Sequence, residues 1–325
     1  MLSTMWTVFS QVLVLFAIIA TGYILTKKKI VNETGLGQMT DVLLMLVTPC
    51  VIVHAFSAPF QKERLAGLLI SALAAFLCHG VAVLLGFFVF RKQPDAVRSA
   101  ARMGMIFSNA GYMGLPLVQS VAGSEGVFYA SVYIAVFNLI LWTVGVRLCT
   151  PKGQPFSLKK AFVNPGTIGL AAGLFVFLLS GHQGFMGSVF MNFMGRYVLP
   201  VPAAAVAFLA GLNTPLAMVI IGGHMARVSP KTLFNDGRIY IVAAFRLVVV
   251  PLIMFMPIVW MCGQNRALIA ACIIPACAPV AAATSLFAQK FEKDVVFASK
   301  SVALTTLLSV ITMPLFVSVA FMLGA

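Results

Sequence analysis

The sequence predicts an all-α polytopic membrane protein. Ten transmembrane helices are expected, as two inverted five-helix repeats in which helices four and nine are broken and cross. Three observations predict this: a composition too apolar for a soluble domain, basic residues that alternate from one connection to the next, and matched proline interruptions in two spans. Of 325 residues, 61% are hydrophobic and 9% charged, with a mean hydropathy of +1.03. A soluble surface cannot be built from so few charges.

About 20 apolar residues cross the hydrocarbon core, and runs of that length recur along the chain. The expected spans are 4–26, 37–58, 65–90, 103–123, 126–147, 162–181, 197–224, 239–261, 267–289 and 301–324. The net charge of +14 would suggest nucleic acid in a soluble protein, but the charges sort by connection. Those after spans one, three, five, seven and nine hold 17 basic residues; the opposite side has only Lys62, Arg64, Arg196 and Arg266. The positive-inside rule puts the first set in the cytoplasm and both termini outside. No nucleic-acid partner is needed. The first 26 residues have no basic n-region and their lysines follow them, so they read as a retained helix rather than a cleaved signal. No hydrophilic insertion exceeds a short loop, which leaves one membrane domain in the cytoplasmic (plasma) membrane.

Ten spans divide into residues 1–160 and 161–325. An odd number of crossings turns the second half upside down, giving an inverted repeat. Span four contains FSNAGYMGLPL at 107–117, inside 22 uncharged residues from Met103 to Ser124. Glycine loosens a helix, proline removes a donor and asparagine must find a partner in lipid, so Asn109, Gly111, Gly114 and Pro116 together predict a break. Span nine contains IIPACAPVAAATSLFAQ at 273–289, with Pro275 and Pro279. The interval from Pro116 to Pro279, applied to span two, lands inside span seven, so the two interruptions keep the register of a repeat. Broken helices in corresponding positions point to a binding site, because half-helix N-termini at mid-depth offer free amides and positive potential to an anionic group.

Other polar residues within the spans are candidates of lower rank. Asn138 in span five and Asn213 in span seven either bridge helices or line the site. Tyr112 and Tyr133 either pack or touch cargo. Asp41 is the carboxylate placed within a span and the leading proton-coupling candidate. Arg246 interrupts span eight, and either meets an anion, neutralises Asp41 or holds helix-terminal carbonyls. His54, His79, His182 and His224 are scattered, and the six cysteines have no metal spacing; no metal site or cofactor is expected. No HExxH, G-x-S-x-G or Walker signature is present, so the protein is not expected to be an enzyme.

These motifs resemble the auxin efflux carrier family, which includes the plant PIN auxin exporters and bacterial carriers of malate or malonate. The resemblance rests on SNAGYMGLPL at 108–117, GVFYASVYIAVFNLILWTVGV at 126–146, NPGTIGLAAG at 164–173, TPLAMVIIGG at 214–223, FAQKF at 287–291 and TTLLSVITMPLF at 305–316. It implies ten helices in two inverted repeats, with a scaffold and a transport subdomain, a fold shared with sodium/proton antiporters and bile-acid symporters. Carried over by residue, the crossover asparagine is Asn109, with Gly111, Gly114 and Pro116 forming the break. Four residues after Pro279, where many relatives carry asparagine, this chain has Ala283, followed by Thr284 and Ser285.

The expected activity is secondary active transport of a small organic anion, such as malate, malonate or an auxin-like acid, by alternating access. A proton is the first choice of coupling ion and sodium, held near Thr284 and Ser285, the alternative. A receptor that keeps the fold without transporting is the alternative of another class. The partners expected are the anion, the coupling ion and the bilayer, with room for a homodimer.

Overall fold

In lipid every backbone amide and carbonyl must find its partner within the protein, so apolar segments of this length can only be helices. The computed structural model of the chain describes residues 2–56, 61–150, 165–180, 200–228 and 233–323. His182 and Arg196 lie outside them. Thirteen helices follow among the described residues: α1 (Leu2–Lys27), α2 (Glu33–Phe56), α3 (Lys62–Phe88), α4 (Asp95–Ile106), α5 (110–122), α6 (124–149), α7 (Pro165–Ser180), α8 (Pro200–Gly211), α9 (Asn213–Ala226), α10 (Gly237–Cys262), α11 (Arg266–Cys277), α12 (Ala283–Lys290) and α13 (Val295–Leu323). No strand is present among them; one isolated antiparallel bridge joins Ser108 to Val280.

Six helical segments are long and apolar enough to cross a membrane: Glu33–Phe56, Lys62–Phe88, Ala110–Cys149, Val201–Ala226, Gly237–Cys262 and Val295–Leu323. Shorter apolar helices cover Val12–Lys27, Thr167–Leu178 and Arg266–Cys277. The segment Ala110–Cys149 is two helices, because Gly123 at φ 60 and ψ −156 turns the chain between α5 and α6. A side chain rarely adopts that conformation. Large apolar residues face outward, with Trp260 84% and Phe208 82% exposed, while Ser71, Ser301, Thr305 and Ser309 are buried. That distribution suits a lipid-facing exterior.

Prolines shape several helices through one device. The ring at position i clashes with the carbonyl of residue i−4, and widening the preceding turn to π-helical spacing relieves the clash. Wide turns at Leu43–Val47, Ala110–Gly114 and Phe245–Val249 each end two residues before a proline, Pro49, Pro116 and Pro251. Before Pro49, the carbonyl of Leu43 accepts from Thr48 Oγ1 at 2.8 Å.

The helices form two packing groups. In the first, α1 lies against α9, and α7 and α8 lie against the second half of α2. Gly22 and Gly222 let α1 and α9 touch backbone to backbone; a Cβ on either would overlap Val219 or Ile19. Small residues at such contacts are how membrane helices gain van der Waals packing without a hydrophobic driving force. In the second group α3, α4, α6, α10, α11, α12 and α13 pack on one another.

Candidate functional site

The two proline-marked segments meet. Helix α4 stops at Ile106, and 107–109 are non-helical before α5; α11 stops at Cys277, and 278–282 separate it from α12. These pieces pair across the gap: the Asn109 N–H donates to the Pro279 carbonyl at 2.7 Å and the Ala281 N–H to the Phe107 carbonyl at 2.9 Å. The Val280 N–H donates to Thr305 Oγ1 at 3.1 Å, and Gly114 faces Pro275, where a Cβ would make only ordinary van der Waals contact. The amides and carbonyls that interrupted helices lose are thus partly recovered from the other interruption.

The break falls at 107–109, at Asn109 but ahead of the glycines and proline that mark it in the sequence. Gly111, Gly114 and Pro116 lie inside α5: Pro116 widens the turn at Ala110–Gly114, in which Asn109's carbonyl accepts from Met113 at 3.1 Å and from Gly114 at 2.9 Å. Pro275 lies inside α11, and only Pro279 sits in the second gap.

Arg246 completes the crossing. Its side chain is buried among the helices, donating from Nε to the Ala278 carbonyl at 3.1 Å and from a terminal nitrogen to the Ala276 carbonyl. These carbonyls end α11, the negative pole of a half-helix, and a guanidinium there cancels it. The positive poles of α5 and α12 lie at the same place; in α12 the Thr284 and Ser285 amides already donate to the carbonyls of Ala281 and Ala282, at 2.9 and 3.1 Å, whereas the first amides of α5 have no partner within their own helix.

A cavity of about 580 Å³ ends at this point. Asn109, Tyr112, Ala282, Ser285 and Thr306 line its inner end; Ile220 and Ile221 form an apolar wall; and Glu33, His224, Arg227, Gln289 and Lys300 lie toward its mouth. Asn109 is 2% exposed, and its Oδ1 has no partner among the described residues. Thr284, next to the cavity, is also buried with an unpartnered hydroxyl, whereas Ser285 accepts from Ser299 Oγ at 3.3 Å. Buried polar atoms without partners are uncommon and call for an explanation.

Of the candidate positions, Asn109, Tyr112 and Ser285 line the cavity, whereas Gly111, Gly114, Pro116, Pro275, Pro279, Thr284, Arg246, Tyr133, Asn138, Asn213 and Asp41 do not. Asn138 is half-buried on α6, and Asn213 is buried at the start of α9. Asp41 is exposed on α2, next to Thr40, which lines the cavity. Tyr133 packs in a cluster with His79, ring centroids 5.9 Å apart. The sequence reading did not single out His224, Arg227, Ser299, Lys300 and Thr306 as site residues. The mouth cations were absorbed by the charge count that set topology, and the α13 hydroxyls recur on one face of an otherwise apolar helix.

Ion pairs tie the ends of the helices on the basic face. Lys293 Nζ meets Asp95 Oδ2 at 2.6 Å, Arg98 meets Asp95 Oδ1 at 2.7 Å, and Arg238 meets Asp236 Oδ2 at 2.7 Å. The hydrogen bond from Lys293 holds the Asp95 carboxyl below its ordinary range, and that from Arg238 does the same for Asp236.

Apolar helices that cross a bilayer, two of them interrupted at the buried end of an open cavity, define a class: a multi-pass membrane transport protein. The match by family agrees. The chain belongs to the membrane transport protein family, matched over residues 7–317, the auxin efflux carrier-like family. It is similar to an uncharacterized transporter of Methanothermobacter thermautotrophicus, 23% identical over 94% of this chain and 95% of that protein. It is also similar to an uncharacterized transporter of Methanocaldococcus jannaschii, 22% identical over 94% of this chain and 96% of the other.

Proposed function

We propose that the protein is a secondary carrier that moves a small organic carboxylate across the cytoplasmic membrane by alternating access. Its ten spans form two inverted repeats, with span four made of α4 and α5, span nine made of α11 and α12, and both termini outside. One observation carries this reading: Asn109, with an unpartnered amide oxygen, stands at the closed end of a cavity of about 580 Å³ between two half-helix N-termini. A carboxylate there accepts from free amides, and the side-chain amide turns its nitrogen to the cargo. Asn109, Gly111, Tyr112, Ser285 and Thr284 form the binding surface, while Gly114, Pro116, Pro275 and Pro279 shape it. Arg246 holds the crossing and does not touch cargo.

Coupling to protons follows from Asp41. Asp41 follows Thr40 on the cavity wall, so protonating it removes a negative charge close to the anionic cargo. A sodium-coupled mechanism is favoured by one observation, the unpartnered buried hydroxyl of Thr284, which suits a hard cation.

The test is flux of labelled malate, malonate and indole-acetate into proteoliposomes under imposed proton and sodium gradients. Saturable flux of one of them is expected. Absence of flux for every carboxylate under every gradient rejects the anion reading. Asn109→Ala should abolish flux in protein that remains folded; Asp41→Asn should remove the dependence on the proton gradient, and a sodium titration separates the two couplings.

A further inference from the structure

The cavity mouth carries basic residues that the charge count assigns to topology, yet two of them, Arg227 and Lys300, line the cavity itself. Lys300 lies on α13, five residues beyond the helix start at Val295, and lines the cavity rather than a connection. It is half-buried and, among the described residues, has no carboxylate within 4 Å. Asp236, whose carboxyl feels Lys300, is already bound by Arg238 through both oxygens, at 2.9 and 2.7 Å. Across the mouth Arg227 pairs with Glu33, but these side chains are 42% and 73% exposed. A pair so exposed is worth little and exchanges readily for another carboxylate.

We propose that Lys300 and Arg227, with His224 beside them, form a second and shallower anion-binding station, which receives the cargo's carboxylate before it reaches Asn109. The proposal rests on the anion-carrier reading above. Lys300 and Thr306 are six residues apart on one helix, about 9 Å at 1.5 Å per residue. One small carboxylate cannot bridge that span. The passage therefore has two stations: two cations opposed by the single carboxylate of Glu33 at the mouth, and neutral donors at the inner end. Apolar walls at Ile220, Ile221 and Val302 keep the local dielectric low, so the field of Lys300 extends down the cavity and concentrates anions there. An incoming carboxylate takes Arg227 from Glu33, then passes to the amides of α5.

The test reads the field of the cavity directly. Ala303, one turn inward from Lys300 and lining the cavity, is replaced by cysteine. The protein is placed in vesicles of neutral phosphatidylcholine, which removes anionic lipid as a source of the ligand. Rates of modification by an anionic and a cationic thiosulfonate are compared, with the chain lacking the added cysteine as background. Lys300→Gln should lower the anionic-to-cationic rate ratio about tenfold, since one charge at this separation acts on the two reagents with opposite sign. Lys300→Arg should restore the ratio, and Arg227→Gln, a second variant on the other wall, should lower it. A ratio that changes by less than twofold in both neutralising variants overturns the station. Carboxylate flux is measured in the same vesicles. Flux with a ratio insensitive to both variants rejects the station alone, and a charge-dependent ratio without any carboxylate flux rejects the anion-carrier reading alone.

Discussion

At the scale of single residues, Arg246 shows how a charge is kept inside a membrane bundle. No carboxylate pairs with it among the described residues; instead it donates to the carbonyls of Ala276 and Ala278, which the end of α11 leaves open. Removing the side chain strands two buried acceptors, each costing about 1–3 kcal/mol. Arg246→Ala should therefore lower the melting temperature of the purified protein substantially, and Arg246→Lys, which keeps one donor, should lower it less. A melting curve of Arg246→Ala that overlays wild type would remove this role. From the sequence alone, Arg246 stands equally well for an anion site or a structural clamp, because the choice depends on a contact 30 residues away. Asn109 was legible for the opposite reason: an asparagine beside two glycines and a proline is conspicuous within an uncharged run, wherever its partners lie.

At the scale of elements, the wide turn before Pro116 decides how α5 presents its first amides. The sequence marks the interruption of span four by Pro116, yet α5 begins before the proline, because a π-helical turn absorbs the ring clash and the chain breaks at 107–109 instead. The cross-pairing of Asn109 with Pro279 was not legible, since no local periodicity records which distant segment completes a backbone. Pro116→Ala restores the amide and removes the reason for the wide turn, so Ala110, Gly111 and Tyr112 should rotate relative to Asn109. The variant should melt at or above the wild-type temperature while flux falls; wild-type flux would separate the proline from the site. The link between α4 and the turn before α13 has a pH signature. Asp95 is held below its ordinary value of 3.8, chiefly by Lys293, so the link contributes stability above that value and loses it as pH falls through the lowered one. Asp95 is 59% exposed, so the contribution is small. Melting temperatures of wild type and Asp95→Asn should differ slightly at pH 6 and converge in strong acid.

At the scale of the whole molecule, a cavity open at the basic face requires a seal toward the other. The alternation of basic connections is legible in the sequence, whereas the seal is not, because phenylalanines are common throughout so apolar a chain. Phe56 near the end of α2, Phe177 on α7 and Phe128 near the start of α6 bring their rings together, with centroids 4.6, 5.0 and 6.2 Å apart, all essentially buried. Gly173 on α7 makes room for Phe56, whose Cβ would stand 2.9 Å from a Cβ placed there. Phe56 and Phe177 belong to the first packing group and Phe128 to the second, so the rings bridge the groups at the end remote from the mouth. Under alternating access they must part when the opposite face opens. Aromatic pairs add about 0.5–1.5 kcal/mol each beyond area burial, so Phe56→Ala, which loses two, biases the equilibrium by about 1–3 kcal/mol. That corresponds to a population shift of about five- to 150-fold toward the other opening. With Ala303→Cys as reporter, a membrane-impermeant thiol reagent applied to the non-basic face should modify Phe56→Ala at least fivefold faster than wild type. An unchanged rate in folded protein would mean that the three rings only fill space and that the barrier between the faces lies elsewhere.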